Sequence, residues 1–261
     1  IKREDRDMID LIVFSISNNR YALKIENIQR IIQADTLTKI PNAHHFIDGM
    51  LSYEDNVIKV LNFRKLIGNQ SYSQELEILF AKFKHYHKEW VGELRGSINN
   101  NIPFTGIKDV HKCDLGVWLD KFSSYDDEVT DVLTDILKHH KDVHLKSNEV
   151  LEFDASQKVL AQEILSKDIE KSFEHTMDAL DKFIAISDKV ANSLQKFIIY
   201  EDDGEIFAIK VDLIEDIAHI KEQDIINANE KNSKNEFLTL QGVLDLKGVL
   251  VNVIKRVKLP N

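Results

Sequence analysis

At both ends of this chain apolar and polar residues alternate, and in its middle the apolar residues recur every three or four. Residues 10–17, Asp-Leu-Ile-Val-Phe-Ser-Ile-Ser, read as a strand, and residues 20–25, Arg-Tyr-Ala-Leu-Lys-Ile, as its antiparallel return. Asn18 and Asn19 supply the turn, because asparagine tolerates the positive φ of tight hairpins. An extended region with Ile40-Pro41-Asn42 follows. Residues 49–53 and 57–63 then flank the polar turn Glu54-Asp55-Asn56, which predicts a second hairpin. Residues 68–71, Gly-Asn-Gln-Ser, end this segment.

From residue 72 to residue 194 the period becomes helical, with a single proline, Pro103. Ser71 with Gln74, Ser124 with Asp127 and Asp154 with Gln157 have capping-box spacing, the pairs containing Asp being looser versions. These signals predict helices over about 74–98, 113–122, 126–150 and 156–193. In the last of these Leu160, Ile164, Phe173, Met177, Leu180, Ile184 and Leu194 form one apolar face of a long helix. Four striped helices most simply pack as a bundle.

Alternation returns at Lys196. Residues 197–200 and 206–211 flank Asp202-Asp203-Gly204 as a further hairpin. Tyr21-Ala-Leu-Lys-Ile is matched by Phe207-Ala-Ile-Lys-Val, Gly49-Met-Leu by Gly242-Val-Leu, and Val57-Ile-Lys-Val-Leu by Val249-Leu-Val-Asn-Val. Two copies of one supersecondary unit, in the same order, suggest two similar small β-barrels. Neither copy alone has many strands. The expected class is therefore α+β: the two barrels form one discontinuous domain from residues 1–70 and 195–261, interrupted by an all-α four-helix insert at 71–194. Insertion is tolerated at exposed loops whose ends lie close together.

Composition narrows the class only coarsely. The chain has 261 residues, 43% of them hydrophobic, enough for real cores, and a net charge of −10 that argues against nucleic-acid binding. No stretch approaches the roughly 20 apolar residues that would span a bilayer, so no membrane insertion is expected. The opening residues 1–7, Ile-Lys-Arg-Glu-Asp-Arg-Asp, have no apolar signal-peptide core, and no initiator Met stands there, so residues upstream are expected. One cysteine forms no internal disulfide, which fits a reducing cytoplasm.

The candidate chemistry sits in the helical block. His87 lies on the first predicted helix, and Cys113, the only cysteine, falls at the start of the second, where free backbone N–H groups favour a thiolate. His140 and His144 are one turn apart on the same face of the third. One thiolate and three imidazoles from separate segments can close a tetrahedral zinc shell. His139 points elsewhere, and His85 faces another side of its helix. His44, His45, His111, His175 and His219 have no partner pattern. Trp90 and Trp118 read as core around the site. Four protein ligands leave no open position for catalytic water, and His140-Lys-Asp-Val-His144 lacks the Glu that follows the first His in zinc proteases. With no nucleophile elbow, P-loop or dinucleotide fingerprint, the reading is not an enzyme; a zinc hydrolase is the remote alternative.

His87-x-x-Trp90, Cys113-x-Leu-Gly-x-Trp118 and His140-x-x-Val-His144 resemble the chemoreceptor zinc-binding domain, often called CZB, across about residues 74–190. That resemblance implies zinc held by His87, Cys113, His140 and His144 in a four-helix bundle. It also implies a homodimer through the bundle, supported by a surplus apolar stripe on the last helix, and oxidant sensing of the hypochlorous acid type at Cys113. The flanking segments resemble the CheW coupling domain of bacterial chemotaxis, through Tyr21-Ala-Leu-Lys-Ile, Ile40-Pro-Asn, the Gly49 hairpin and Gly242-Val-Leu-Asp. That resemblance implies a scaffold partnering the regulatory domain of the chemotaxis histidine kinase and chemoreceptor signalling tips. An insert tied at both ends would then act on the junction between the barrels. One position departs from the coupling pattern: Asn-Leu-Arg-Gly is usual where Ser52-Tyr-Glu-Asp55 stands, so Glu54 replaces the arginine. Glu54 is either a solvated turn residue or a changed partner contact.

Overall fold

Alternation decides how the first hairpin closes. In the computed structural model, which describes residues 8–100, 102–227 and 235–260, β1 (Met8–Ile16) pairs with β2 (Asn19–Lys24), Phe14 opposite Tyr21. The opening stretch 1–7 lies outside the described residues. The turn falls on Ser17 and Asn18, one residue before the expected Asn18-Asn19, with Ser17 at φ 52°. A slip of one residue would turn Phe14 and Ile16 away from their core, so packing overrides the asparagine preference. The Ser17 N–H donates to the Asp212 carboxylate at 3.0 Å, which holds that turn.

The chain continues through β3 (Ile28–Gln33), β4 (Ile47–Tyr53), β5 (Asn56–Asn62) and the single-turn helix α1 (Phe63–Leu66). After the helical block come β6 (Lys196–Asp202), β7 (Glu205–Val211), β8 (Leu213–Lys221), β9 (Ile226–Asn227), β10 (Leu238–Leu246) and β11 (Val249–Val257). The β6–β7 turn is Asp203-Gly204, both at positive φ (51° and 84°), the conformation that favours an Asp-Gly pair in a two-residue hairpin. Glu54 sits exposed at the β4–β5 turn with φ 52°.

Two sheets result, ordered β8-β1-β2-β11-β10-β9 and β3-β6-β7-β5-β4. Each takes strands from both sides of the helical block. The first hairpin of one copy joins the later strands of the other, and the reverse holds for the second sheet. Parallel contacts between β2 and β11 (Ala22 opposite Val253) and between β7 and β5 (Ala208 opposite Val60) close the two exchanges. The repeat is therefore real, but neither copy builds a sheet of its own. The aligned register also differs by one from the sequence match. Gly49 pairs with Val60 and Gly242 with Val253, so Val57 corresponds to Leu250 rather than to Val249.

Burial on both faces explains the exchange. Leu11, Val13, Ala22, Leu244, Val251 and Val253 fill the inside of the six-stranded sheet, and Val60, Phe197, Ile199 and Ala208 fill the five-stranded one, as in small barrels. The opposite faces, carrying Phe14, Ile16, Ile198, Tyr200, Phe207 and Ile254, meet in a third core between the sheets. Strands buried on both sides read as nearly continuous apolar runs, and β6 and β7 do so.

The chain separates into two units, one spanning Ile1–Tyr72 and Ala191–Asn261, the other Ser73–Val190. The helical unit contains most of α2 (Tyr72–Asn100), then α3 (Asp114–Leu119), α4 (Asp127–Leu151), α5 (Lys158–Ile164) and α6 (Glu170–Ala185), and it takes in the start of α7 (Ser187–Leu194). The expected helix over 113–122 is shorter. Asp126, not Ser124, caps α4 by accepting the Val129 N–H, while Asp154 and Gln157 do form a capping box. The single helix expected over 156–193 is interrupted. A π-helical turn at Leu165–Ile169 separates α5 from α6, and α6 ends at Ile186 before α7. The wider turn rephases the stripe, so that Ala161, Leu165 and Ile169 are buried while Leu160 is exposed. Met177, Leu180 and Phe183 are buried too, so little surplus stripe remains on this segment.

Both covalent links of the helical unit run to one sheet. Upstream, α1 follows β5, and downstream α7 leads into β6, and these two strands flank β7 in the five-stranded sheet. The covalent route out of the helical unit therefore leads to β5 and β6 of one sheet rather than to both sheets. At these links Asp212 accepts from Arg64 Nε at 2.7 Å and from Gln195 Nε2 at 2.9 Å, besides Ser17. A half-buried carboxylate with three donors ties the end of β5, the start of β6 and the β1–β2 turn together.

Candidate metal centre

The α2 stripe runs Leu76, Phe80, Phe83, His87, Val91, Leu94, Ile98, all buried. His87 therefore occupies a slot that spacing reserves for an apolar side chain. The α4 stripe does the same with Val129, Leu133, Ile136, His140, Val143, Ser147 and Val150, and adds His144 beside Val143. Burying imidazoles at such positions is costly unless their polar atoms find partners. Cys113 is the N-cap of α3, and its Sγ accepts the Gly116 N–H at 3.3 Å. Gly116 is required there: a Cβ would lie 1.7 Å from the Val110 carbonyl oxygen.

The structure brings His87, Cys113, His140 and His144 together, with one donor atom from each all within 4.8 Å of one another. All four are buried, His140 to 1% exposure. His87 Nδ1–H donates to the Phe83 carbonyl at 2.8 Å and His144 Nδ1–H to the Lys108 carbonyl at 3.1 Å. A carbonyl can only accept, so these bonds place the ring protons on Nδ1 and turn bare Nε2 atoms inward. His87 Nε2 lies 3.1 Å from His140 Nε2, which lies 3.3 Å from Cys113 Sγ. His144 Nε2 is buried with no hydrogen-bond partner. Facing lone pairs and an orphaned buried nitrogen are what a cation at the centre resolves. Nitrogens around tetrahedral zinc would stand about 3.3 Å apart, close to the spacing seen. The four residues fit a divalent metal.

Electrostatics without a metal agree. Burial lowers the pKa of His87 and His144, and burial with the neighbouring His87 and His144 lowers that of His140 to about 2. Burial raises the Cys113 thiol, opposed by the N–H groups of Gly116 and Leu115. The helix start alone therefore does not make Cys113 a thiolate.

Trp90 packs on His144 at 4.9 Å between ring centroids, and Trp118 stacks on Phe122 and meets Phe80 edge-on, so both belong to the packing around the site. His139 stacks on His175 at 4.8 Å and is not among the four. Sequence reasoning had Gly116 only as a letter of the Cys113 motif, and it missed Asn148, which donates to the same Lys108 carbonyl as His144, and three carboxylates of a neighbouring cavity. Asn148 follows His144 by one helical turn, a spacing that could have flagged it.

The CheW-like domain family model matches residues 10–86, and that of the chemoreceptor zinc-binding domain matches residues 87–151. The chain is 26% identical over 106 residues to a chemotaxis protein CheW from Thermotoga maritima, covering 38% of this chain and 70% of that protein. The crystal structure of scaffolding protein TtCheW from Thermoanaerobacter tengcongensis is 12% identical, with 98% of this chain and 89% of that one covered at a TM-score of 0.46, too low to add to the fold described above. Among the described residues no helix is long and apolar enough to cross a membrane. The chain carries a CheW-like domain and a chemoreceptor zinc-binding domain, the helical unit with its buried His/Cys cluster being inserted between the two parts of the sheet unit.

Proposed function

We propose that this chain is a chemotaxis coupling scaffold whose helical unit binds zinc through His87, Cys113, His140 and His144 and so modulates contacts with the histidine kinase and receptor tips. The buried cluster with its orphaned His144 nitrogen carries this reading. Zinc would supply the positive centre that holds Cys113 as a thiolate. This chain's own residues do the rest. The Phe83 and Lys108 carbonyls aim two imidazoles, and the links through α1 and α7 pass any shift of the helices to β5, β6 and β7. The signal is zinc availability or an oxidant acting on Cys113.

A purely structural zinc is the second reading, favoured by a shell of four protein donors. Binding of the full chain to a kinase regulatory domain and a receptor tip, with zinc and after chelation, separates the two. Sensing predicts affinities about tenfold apart or more, and equal affinities in a still-folded protein leave only the structural role.

A homodimer through the bundle belongs to the same proposal, with its support moved. Ile78 and Tyr86 on α2 and Leu137 and Leu145 on α4 are exposed, each pair two turns apart on one face. Light scattering of the full chain should give twice the chain mass; a monomer at micromolar concentration ends this part.

A further inference from the structure

Two cavities flank the four-residue cluster, and their charges differ. One, of about 340 Å³, has His87, Cys113 and His144 in its wall, with Phe83, Trp90 and Ile107 as apolar lining. Its charged lining is entirely acidic: Glu89, Glu93 and Asp114. Glu93 accepts the Thr105 N–H and hydroxyl at 2.7 and 2.6 Å, which hold its carboxyl below the usual range and fix it in place. The other cavity, of about 410 Å³, reaches His140 and carries Lys138, Lys141, His111 and Asp120, and Cys113 is not in its lining.

We infer that the acidic cavity is the approach to Cys113, and that Glu89, Glu93 and Asp114 make it selective for small neutral or cationic thiol-reactive molecules over anionic ones. The inference rests on the proposed role of Cys113 and names the class of molecule that reaches it. Apolar walls concentrate the field of the three carboxylates, and the cavity is no wider than about one Debye length at physiological salt. These three negative charges exceed the single net positive charge that zinc with the Cys113 thiolate would bring, so an anion is disfavoured at the sulfur.

The zinc-loaded full chain is reacted with three methanethiosulfonates that share one reactive head: trimethylammonioethyl (cationic), hydroxyethyl (neutral) and sulfonatoethyl (anionic). The Cys113 sulfur attacks the sulfenyl sulfur, a disulfide forms, the bond to the sulfonyl group breaks and methanesulfinate leaves with the electron pair. Intact mass reads the product directly, because Cys113 is the only cysteine. With each rate divided by that of the same reagent with the urea-unfolded chain, the cationic and neutral reagents should still react about tenfold or more faster than the anionic one at low salt, and the gap should shrink at high salt. In a Glu89→Gln/Glu93→Gln protein, compared at equal zinc content, the gap should shrink as well. Equal rates, or a gap unchanged in that variant, overturn the charge selection and leave the role of Cys113 standing. A fastest anionic reagent overturns it too. If no reagent labels the native protein while the urea-unfolded chain reacts, the inference and the proposed reactivity of Cys113 fall together.

Discussion

Replacing His140 with alanine is expected to take the purified protein from about one zinc per chain to a small fraction of that. His140 Nε2 is the donor nearest to both His87 Nε2 and Cys113 Sγ, so its loss opens the centre of the cluster. Removing one ligand of four should weaken binding by at least roughly 100-fold, more than the loss of an outer partner costs. His139→Ala is the control and should keep its zinc, since that ring stacks on His175 instead. Unchanged zinc in the His140 variant would remove it from the site. Calorimetry in buffers of different ionisation heat adds a second readout. Burial keeps the three imidazoles neutral and the Cys113 thiol protonated near pH 7, so zinc uptake should release about one proton, from Cys113. Release near zero would remove Cys113 from the ligand set. The metal-free fold should also be sensitive to acid. With the folded-state histidine values lowered, their contribution is fully present above about pH 6.5 and is lost as pH falls towards those values, at up to about 1.4 kcal/mol per unit for each histidine.

A limiting dose of hypochlorous acid is expected to release the zinc and shift coupling over the same range. The Cys113 thiolate gives two electrons to the oxidant, gains its oxygen as sulfenic acid, and chloride leaves. The product lacks the negative charge the metal needs, which weakens the shell. No second cysteine exists in this chain to trap the product as an internal disulfide, so small thiols or another protein must reverse it. Zinc release followed with a chromogenic chelator, with trapping of sulfenic acid at Cys113, checks this. Release only at doses that also oxidise the three methionines would exclude Cys113 as the sensor. A Cys113→Ser protein should show no early response.

Short-range physics reached far in this chain. Alternation located the hairpins, because a strand shows opposite faces at successive residues whatever its partner is. Helical period located α2 and α4, and the metal-ligating residue types were readable because thiolate and imidazole are the groups that bind zinc. His87 and His140 even stand in apolar slots of their stripes, which spacing alone can reveal. Long-range physics governed the rest. Each β copy carries the same pattern, and nothing local says that its first hairpin pairs with the other copy's strands, since a strand buried on both faces is compatible with several neighbours. The Ser17 turn, the one-residue offset of Val57 against Leu250 and the π turn at Leu165–Ile169 were set by which side chains had to reach a core. Sequence placed Cys113 at a helix start and so favoured the thiolate, yet its environment is decided by burial, which depends on α2 and α4 packing over it. The acidic cavity is tertiary in the same sense: Glu89, Glu93 and Asp114 come from two helices, and only the fold sets them along one cavity that Cys113 also lines.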